Sequence, residues 1–208
     1  LLCLLAGSSI AAAIVVAVRA LADEGTARLA APFAAVAPTA IWIAVSADGY
    51  FAGVAAWGIA LLAVAISRTT GQPMLAAAGA GLLLGWGIFL NYGLALMALP
   101  ALAVLLSANS WRTALTTLAP ALLAALGVGL VFLAAGFWWF DGYLLVQERY
   151  WQGIANDRPF QYWGWANFAS VVCAIGLGSV AGIARAFDLA AIRRRSGLHL
   201  LVLGALLA

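Results

Sequence analysis

The chain has 208 residues, of which 66% are hydrophobic and 8% are charged, and its formal net charge is +3 at pH 7. Its mean hydropathy of +1.09 leaves too little polar surface to cover a water-soluble globule of this size. The composition therefore excludes an ordinary soluble domain and predicts an all-α, polytopic membrane protein. We expect membrane lipids as its surroundings and no nucleic-acid partner.

Long uncharged runs follow one another along the chain. The apolar stretch that begins at Leu1 lacks a basic leading region and has Arg19 behind it, which predicts a true span rather than a signal peptide. A helix needs about 20 apolar residues to cross ~30 Å of hydrocarbon, and five further runs are long enough or nearly so. These runs are Leu29 to Val45, Gly49 to Ser67, Gln72 to Trp111, Thr113 to Phe140 and Pro159 to Ala184.

The two ends of the sequence also bear on its organisation. It begins on Leu1 without an initiator Met and stops on "GALLA" inside another apolar run. We therefore predict one transmembrane domain over residues 1–208, cut at both ends. With a short helical hairpin included, the bundle is expected to contain about seven to eight spans.

All ten basic residues are arginines, and their positions orient the helices by the positive-inside rule. Eight can lie on one cytoplasmic face if residues 73–106, about 51 Å long as one helix, instead form two short antiparallel arms. The arms would meet at Asn91–Gly93, because Gly eases an irregular backbone and Asn tolerates turns. One long tilted helix is the alternative, and it would move the triplet 193–195 outside. The eight are Arg19, Arg28, Arg68, Arg112, Arg185, Arg193, Arg194 and Arg195.

On this topology four of the seven acidic residues lie outside, and Asp48 is one of them. It lies at the outer end of one run and two residues before Tyr50, in "VSADGYF". One interpretation is a helix N-cap, whose carboxylate accepts hydrogen bonds from free backbone N–H groups. The other is a functional carboxylate that orients a hydroxyl, binds a divalent cation or acts as a base.

Residues 137–165 form a predicted outer aromatic loop. Within it a helix over 141–156 is expected to lie in the membrane interface, because its apolar side chains fall within about 120° of the helical wheel. Aromatic belts of this kind anchor helix ends in many membrane proteins. The alternative is one wall of a site for a lipid-linked polar substrate, since Arg pairs bidentately with phosphate. The candidate substrate-binding residues are Glu148, Arg149, Asp157, Arg158, Tyr162 and Trp163.

One stretch resembles a known family. In "GTARLAAPFAAVAPTAIWIAVSADGYFAGVAAWGIALLAVAISR" a short inner turn leads into Arg28–Ala31, then to Pro38 inside a helix and to Asp48 at its outer exit. This order resembles the core of bacterial, multi-spanning C-type glycosyltransferases that use polyprenyl-phosphate sugars, a group that includes protein O-mannosyltransferases and aminoarabinose transferases. The outer interfacial helix at 141–156 is also similar.

The resemblance implies transfer of a sugar from a polyprenyl-phosphate carrier to an acceptor outside the plasma membrane, by inverting displacement at the anomeric carbon. Asp48 is the candidate catalytic residue, while the family's principal acidic residue usually lies in an outer loop that would precede this sequence. Arg149 and Arg158 are candidates to balance the departing lipid phosphate, a role that a divalent cation can share. No metal-ligating residues are assigned.

Two other functional classes remain open, a transporter and a non-catalytic membrane scaffold subunit. A transporter would hold charged or polar groups at mid-membrane on discontinuous helices. No predicted span centre carries a charge, which argues against ion coupling. Small residues such as Gly79, Gly81, Gly85 and Gly87 instead predict close helix packing.

Overall fold

The computed structural model describes residues 1–42, 46–153 and 157–208, and every regular element within them is a helix. The predicted all-α class is therefore confirmed. The α-helices are α1 (Leu2–Ser8), α2 (Ile10–Leu21), α3 (Glu24–Ala35), α4 (Asp48–Ser67), α5 (Pro73–Leu90), α6 (Ala98–Leu106), α7 (Trp111–Ala134), α8 (Trp139–Gln152), α9 (Phe160–Ala186), α10 (Leu189–Arg193) and α11 (Gly197–Leu207). Short 3-10 helices lie at Pro38–Trp42 and Tyr92–Met97.

Five helical stretches are long and apolar enough to cross a membrane. They are Leu2–Leu21, which joins α1 and α2, Asp48–Ser67, Pro73–Leu90, Trp111–Ala134 and Phe160–Ala186. Their length and composition support a multi-pass membrane protein. Two further apolar stretches, Tyr92–Leu106 and Gly197–Leu207, are shorter than a full span. The predicted count of about seven to eight spans, which included the short hairpin arms, is therefore not confirmed by the described residues.

Helix α4 forms the centre of the bundle. Its apolar residues surround the whole helix, so each of its sides can pack against a neighbouring helix or against lipid. Ala60, Ala63 and Ala65 are completely buried, and Leu62 is nearly so. The helix packs against α1 and α2 on one side and against α5 on another. Between α2 and α4, the Trp57 indole N–H donates a hydrogen bond of 2.9 Å to the Ser9 hydroxyl.

Glycines bring α5 and α7 into backbone contact. A Cβ atom on Gly81 would collide with the backbone of Ala121, and one on Gly85 would lie 2.8 Å from the Cα atom of Ala125. Both pairs are 40 positions apart, so the two helices run in the same direction. The chain between them must therefore return to the end where α5 began.

The return starts at the predicted break. Helix α5 ends at Leu90, and Asn91 takes an extended conformation with φ −154° and ψ 127°. The Asn91 side-chain oxygen accepts a 2.8 Å hydrogen bond from the Gly93 N–H, which stabilises the turn. The break at Asn91–Gly93 is therefore confirmed, and one continuous helix over 73–106 is wrong.

A second break was not predicted. Leu29 to Val45 was expected to form one span with Pro38 inside it, but α3 ends at Ala35 and Pro38 begins a 3-10 helix. Pro38 has no N–H to donate and disfavours a helical conformation at Ala37, so an α-helix cannot pass through this point without distortion. Residues 43–45 of the predicted span lie outside the described residues.

The aromatic loop is helical over most of its length. Helix α8 matches the predicted helix as far as Gln152, whereas residues 154–156 lie outside the described residues. Tyr143 and Trp151 on the predicted apolar face are exposed, and so are the charged side chains of Glu148 and Arg149 on the opposite face. Burial therefore does not distinguish the two faces, and the interfacial position of α8 stays a prediction. Helix α9 follows, with a kink at Gly176, where φ is 79°.

Candidate functional site

The helix contacts define two chemically different ends of the bundle. Helices α2 and α4 run in the same direction, because Ala6 contacts Gly53 and Ser9 bonds to Trp57. The end at which α4 finishes is called the arginine end below, and it carries Arg68. The opposite end, where α4 begins, is called the Asp48 end. The 20 residues of α4 separate the two by about 30 Å.

A large open cavity lies at the Asp48 end. It has a volume of about 790 Å³ and is walled by α1, the start of α2, the connection between α3 and α4, and the first turn of α4. Most of its lining is apolar, with Leu4, Ile10 and Ile14 as its larger side chains. Four polar side chains also contribute: Ser8, Thr39, Ser46 and Asp48. The cavity thus combines an apolar wall with a small polar group.

Asp48 is the one acidic side chain among the described lining residues of this cavity. It is the first residue of α4, and Ala47 occupies the N-cap position. The Asp48 carboxylate accepts a 3.0 Å hydrogen bond from the Ser46 hydroxyl, which in turn accepts a 3.3 Å bond from the Asp48 N–H. The N-cap interpretation is therefore wrong. The carboxylate remains exposed at the positive end of the helix dipole, where a negative charge is favoured.

Ser46 and Thr39 were not predicted as site residues. Ser46 stands two positions before Asp48, which is a spacing at which a hydroxyl can reach the following carboxylate or backbone N–H. Thr39 shows no comparable signal in the sequence, because its place on the cavity wall depends on the turn that Pro38 introduces. Together the two hydroxyls supply hydrogen-bond donors and acceptors beside Asp48.

Two predicted substrate-binding residues are linked on α8. The Gln152 amide donates to Glu148 Oε1 at 3.0 Å, and its oxygen accepts from Arg149 Nη1 at 3.2 Å. The amide therefore holds a carboxylate and a guanidinium side by side on one exposed surface. Neither charged side chain lines the cavity beside Asp48.

The other four candidates flank the start of α9. The Arg158 guanidinium lies over the Trp163 ring, 4.5 Å from its centroid, and Tyr162 meets the same ring edge-on at 5.4 Å. A cation held on an indole face keeps its N–H groups available at the ring edge. Asp157 precedes this cluster and is exposed. None of the four belongs to the described lining of the Asp48 cavity.

A smaller groove of about 370 Å³ runs along the first turns of α9. Phe160, Trp165 and Phe168 form its aromatic sides, while the missing side chain of Gly164 opens its floor. Gly164 lies inside α9. The groove is a surface feature of a single helix and adjoins Arg158 in the sequence.

The structure therefore groups the predicted site residues into three places: the Asp48 cavity, the Glu148–Arg149 pair and the Arg158–Trp163 cluster. No group of three or more His, Cys, Asp and Glu side chains comes together in the part of the chain that the structure describes. No protein-family model, curated protein or solved structure matches this chain.

Proposed function

We propose that this chain belongs to a multi-pass glycosyltransferase of the plasma membrane, which transfers a sugar from a polyprenyl-phosphate carrier to an acceptor at the Asp48 end. The observation that carries the proposal is the apolar cavity of about 790 Å³ with a carboxylate among its lining residues. A ligand that fits both parts has a long apolar chain and a polar, hydroxyl-bearing head. A lipid-linked sugar has that chemistry.

The cavity suits the apolar part of such a donor. Its volume lies within the range of about 300–1,000 Å³ that is usual for small-ligand sites. Leu4 and Ile14 line it and are also 48% and 38% exposed, so the apolar wall continues onto the outer surface of the bundle. In a membrane that surface meets lipid, and an isoprenoid chain can enter the cavity sideways without crossing water.

The polar residues suit the reaction. Asp48 would accept the proton of the acceptor hydroxyl as that oxygen forms its bond to the anomeric carbon. The bond from this carbon to the phosphate oxygen breaks in the same step, with inversion, and the lipid phosphate leaves. Ser46 and Thr39 can hydrogen-bond the sugar hydroxyls.

The departing phosphate needs a positive partner. Arg158 and Arg149 are the two arginines outside the arginine end, and we assign them to this role. The stacking of Arg158 on Trp163 restricts its guanidinium to one plane, which favours bidentate contact with a phosphate. The proposal therefore requires the start of α9 to stand near the cavity mouth when donor is bound.

Replacement of Asp48 by Asn tests the assignment. Asp48→Asn keeps the size of the side chain but removes the base, so transfer from a polyprenyl-phosphate sugar in membranes should fall roughly 100-fold or more. Asp141→Asn is the matched control, because Asp141 is also an exposed acidic residue in the first turn of its helix but lies outside the described cavity lining. Its transfer rate should not change.

Three results would count against the proposal. An unchanged rate for Asp48→Asn at wild-type expression would remove Asp48 from the chemistry. Equal losses in both variants would point to a general charge effect. A chain that binds the lipid donor but transfers no sugar under any condition would favour the non-catalytic scaffold.

A further inference from the structure

The charged residues are divided unequally between the two ends. Gly197, two residues after Arg195, packs against Leu21 and Ser107, which joins the ends of α2 and α6 to the start of α11. Arg68 donates a 3.0 Å hydrogen bond to Thr116, which brings the end of α4 to the start of α7. Eight arginines from four separate segments thus share the arginine end with three carboxylates: Asp23, Glu24 and Asp188.

The three carboxylates at this end are already engaged. Asp23 accepts hydrogen bonds from the N–H and the hydroxyl of Thr26, and Asp188 accepts from the N–H groups of Ala190 and Ala191. Glu24 pairs with Arg19 at 2.8 Å and with Arg28 at 2.9 Å. These are the two ion pairs found among the described residues. The other six arginines have no carboxylate in salt-bridge contact there.

Two of these six occupy unusual backbone positions. Arg68 ends α4 with φ 52°, and Arg195 follows α10 with φ 55°. They are the two non-glycine residues with positive φ in the described chain. Helices that end in this left-handed conformation usually place Gly there, because Gly has no Cβ atom to clash. At both positions the sequence has a cation instead of the sterically preferred residue.

The arginines also lie at the ends of helices that are long enough to cross a membrane. Arg68 and Arg112 stand within one residue of the ends of membrane-length helices, and Arg185 lies in the last turn of α9. Trp111 beside Arg112 is 73% exposed, and Trp is a residue that favours the membrane–water interface. In a bilayer crossed by these helices, the charges would lie near the phospholipid phosphates.

We infer that the arginine end binds anionic phospholipid headgroups, and that the exposed Arg193 and Arg195 on the α10–α11 corner are among the contacts. Guanidinium groups pair bidentately with phosphodiesters, and six arginines without carboxylate partners offer more positive charge than the protein neutralises. The partner class is a phospholipid with net negative charge, such as phosphatidylglycerol. This inference does not depend on sugar transfer at the Asp48 end.

Native mass spectrometry can test this lipid binding. The full chain in neutral detergent is titrated with phosphatidylglycerol or with phosphatidylcholine of the same acyl chains. The wild-type chain should bind phosphatidylglycerol more tightly. Arg193→Gln with Arg195→Gln should weaken this binding by roughly 30-fold at low ionic strength, since each Arg near an anionic surface contributes roughly fivefold. Phosphatidylcholine binding should not change. Arg193→Lys with Arg195→Lys should retain most of the affinity because the charge remains.

A matched control lowers the net charge by the same two units elsewhere. Asn91→Asp with Gln147→Glu should leave the phosphatidylglycerol affinity within about twofold of wild type, because Asn91 follows the far end of α5 and α8 starts beside it, at the opposite end of the bundle from the arginines. Equal binding of the two lipids, or an equal loss in both double variants, would overturn the inference. Displacement of the lipid by inorganic phosphate at the same concentration would also overturn it, since the ligand would then be a free anion.

Discussion

At the scale of single residues, glycines determine how closely α5 and α7 can pack. Lipid tails are as apolar as Leu, so helices in a membrane associate through close packing rather than by escaping water. Gly81 allows the backbone of α5 to touch that of α7 at Ala121, and Gly85 repeats the contact one turn later. Gly127 and Gly129 have open space where a Cβ would be. The sequence alone does not distinguish these four glycines, whereas the structure shows that two lie at a helix contact and two face open space.

This difference predicts opposite results for one kind of substitution. Gly81→Ala should lower the free energy of unfolding by about 1–3 kcal/mol, because the new Cβ collides with backbone that cannot rotate away. Gly127→Ala should be neutral or slightly stabilising, since Ala is the better helix former. Thermal unfolding in detergent, followed by circular dichroism, measures both. Similar midpoints for the two variants would show that α5 and α7 do not pack as described.

At the scale of elements, helix ends carry most of the local information. Asp23 is the N-cap of α3, and its carboxylate accepts a 2.8 Å bond from the Thr26 N–H. This bond, followed by the one from the Thr26 hydroxyl, holds the pKa of Asp23 below its ordinary value of 3.8. The bond from the Arg28 side chain, together with the charge of Arg19, likewise lowers the pKa of Glu24. The start of α3 thus depends on two ionised carboxylates.

The lowered pKa of Asp23 fixes the sign of a pH effect. A group with a lower pKa in the folded state contributes stability that is complete above its unfolded value, here 3.8, and that is lost as the pH falls through the folded pKa. The protection of the amides at the start of α3, measured as their exchange rate relative to that of an unfolded chain at the same pH, should therefore decrease below about pH 4. Asp23→Asn should reduce this acid dependence, because Asn caps helices about as well but does not titrate. An acid dependence that is unchanged in Asp23→Asn would contradict the assignment.

At the scale of the whole molecule, the sequence predicted the helical class and the break after α5, but it did not predict the cavity. Composition predicts the helical membrane class, and the arginine positions together with Asn91 and Gly93 predict the break after α5. The cavity was not predictable in the same way, because it depends on α1 and α2 lying beside the connection that follows α3. That arrangement requires α3 to stop before Pro38, whereas a proline inside an apolar run is also compatible with a kinked span.

The sequence also could not predict which of the proposed site residues lie together. Asp48 was identified because a carboxylate at the outer end of a span can act as a base or bind a cation, and the structure places it on the cavity wall. Glu148, Arg149 and Arg158 were identified from local composition, which carries no information about which distant helix they face. The structure places them in two clusters outside the described lining of that cavity. The local sequence identified charged side chains that could act on a substrate. The packing of the helices decides which of these side chains lie close enough to act together.

The two ends of the bundle also make the topology testable. Helix contacts place the chain before α5 and the chain before α7 at the arginine end, about 30 Å from Asp48. The positive-inside rule assigns that end to the cytoplasm. With Cys3 and Cys173 replaced by Ala, single cysteines at Thr69 and Asn109 should react with a membrane-impermeant maleimide only after the membrane is opened. A cysteine at Glu148 should react in intact cells. Labelling of Thr69 and Asn109 from opposite sides would show that the chain does not return across the membrane between α5 and α7, and the arginines near these two positions could not then share one face.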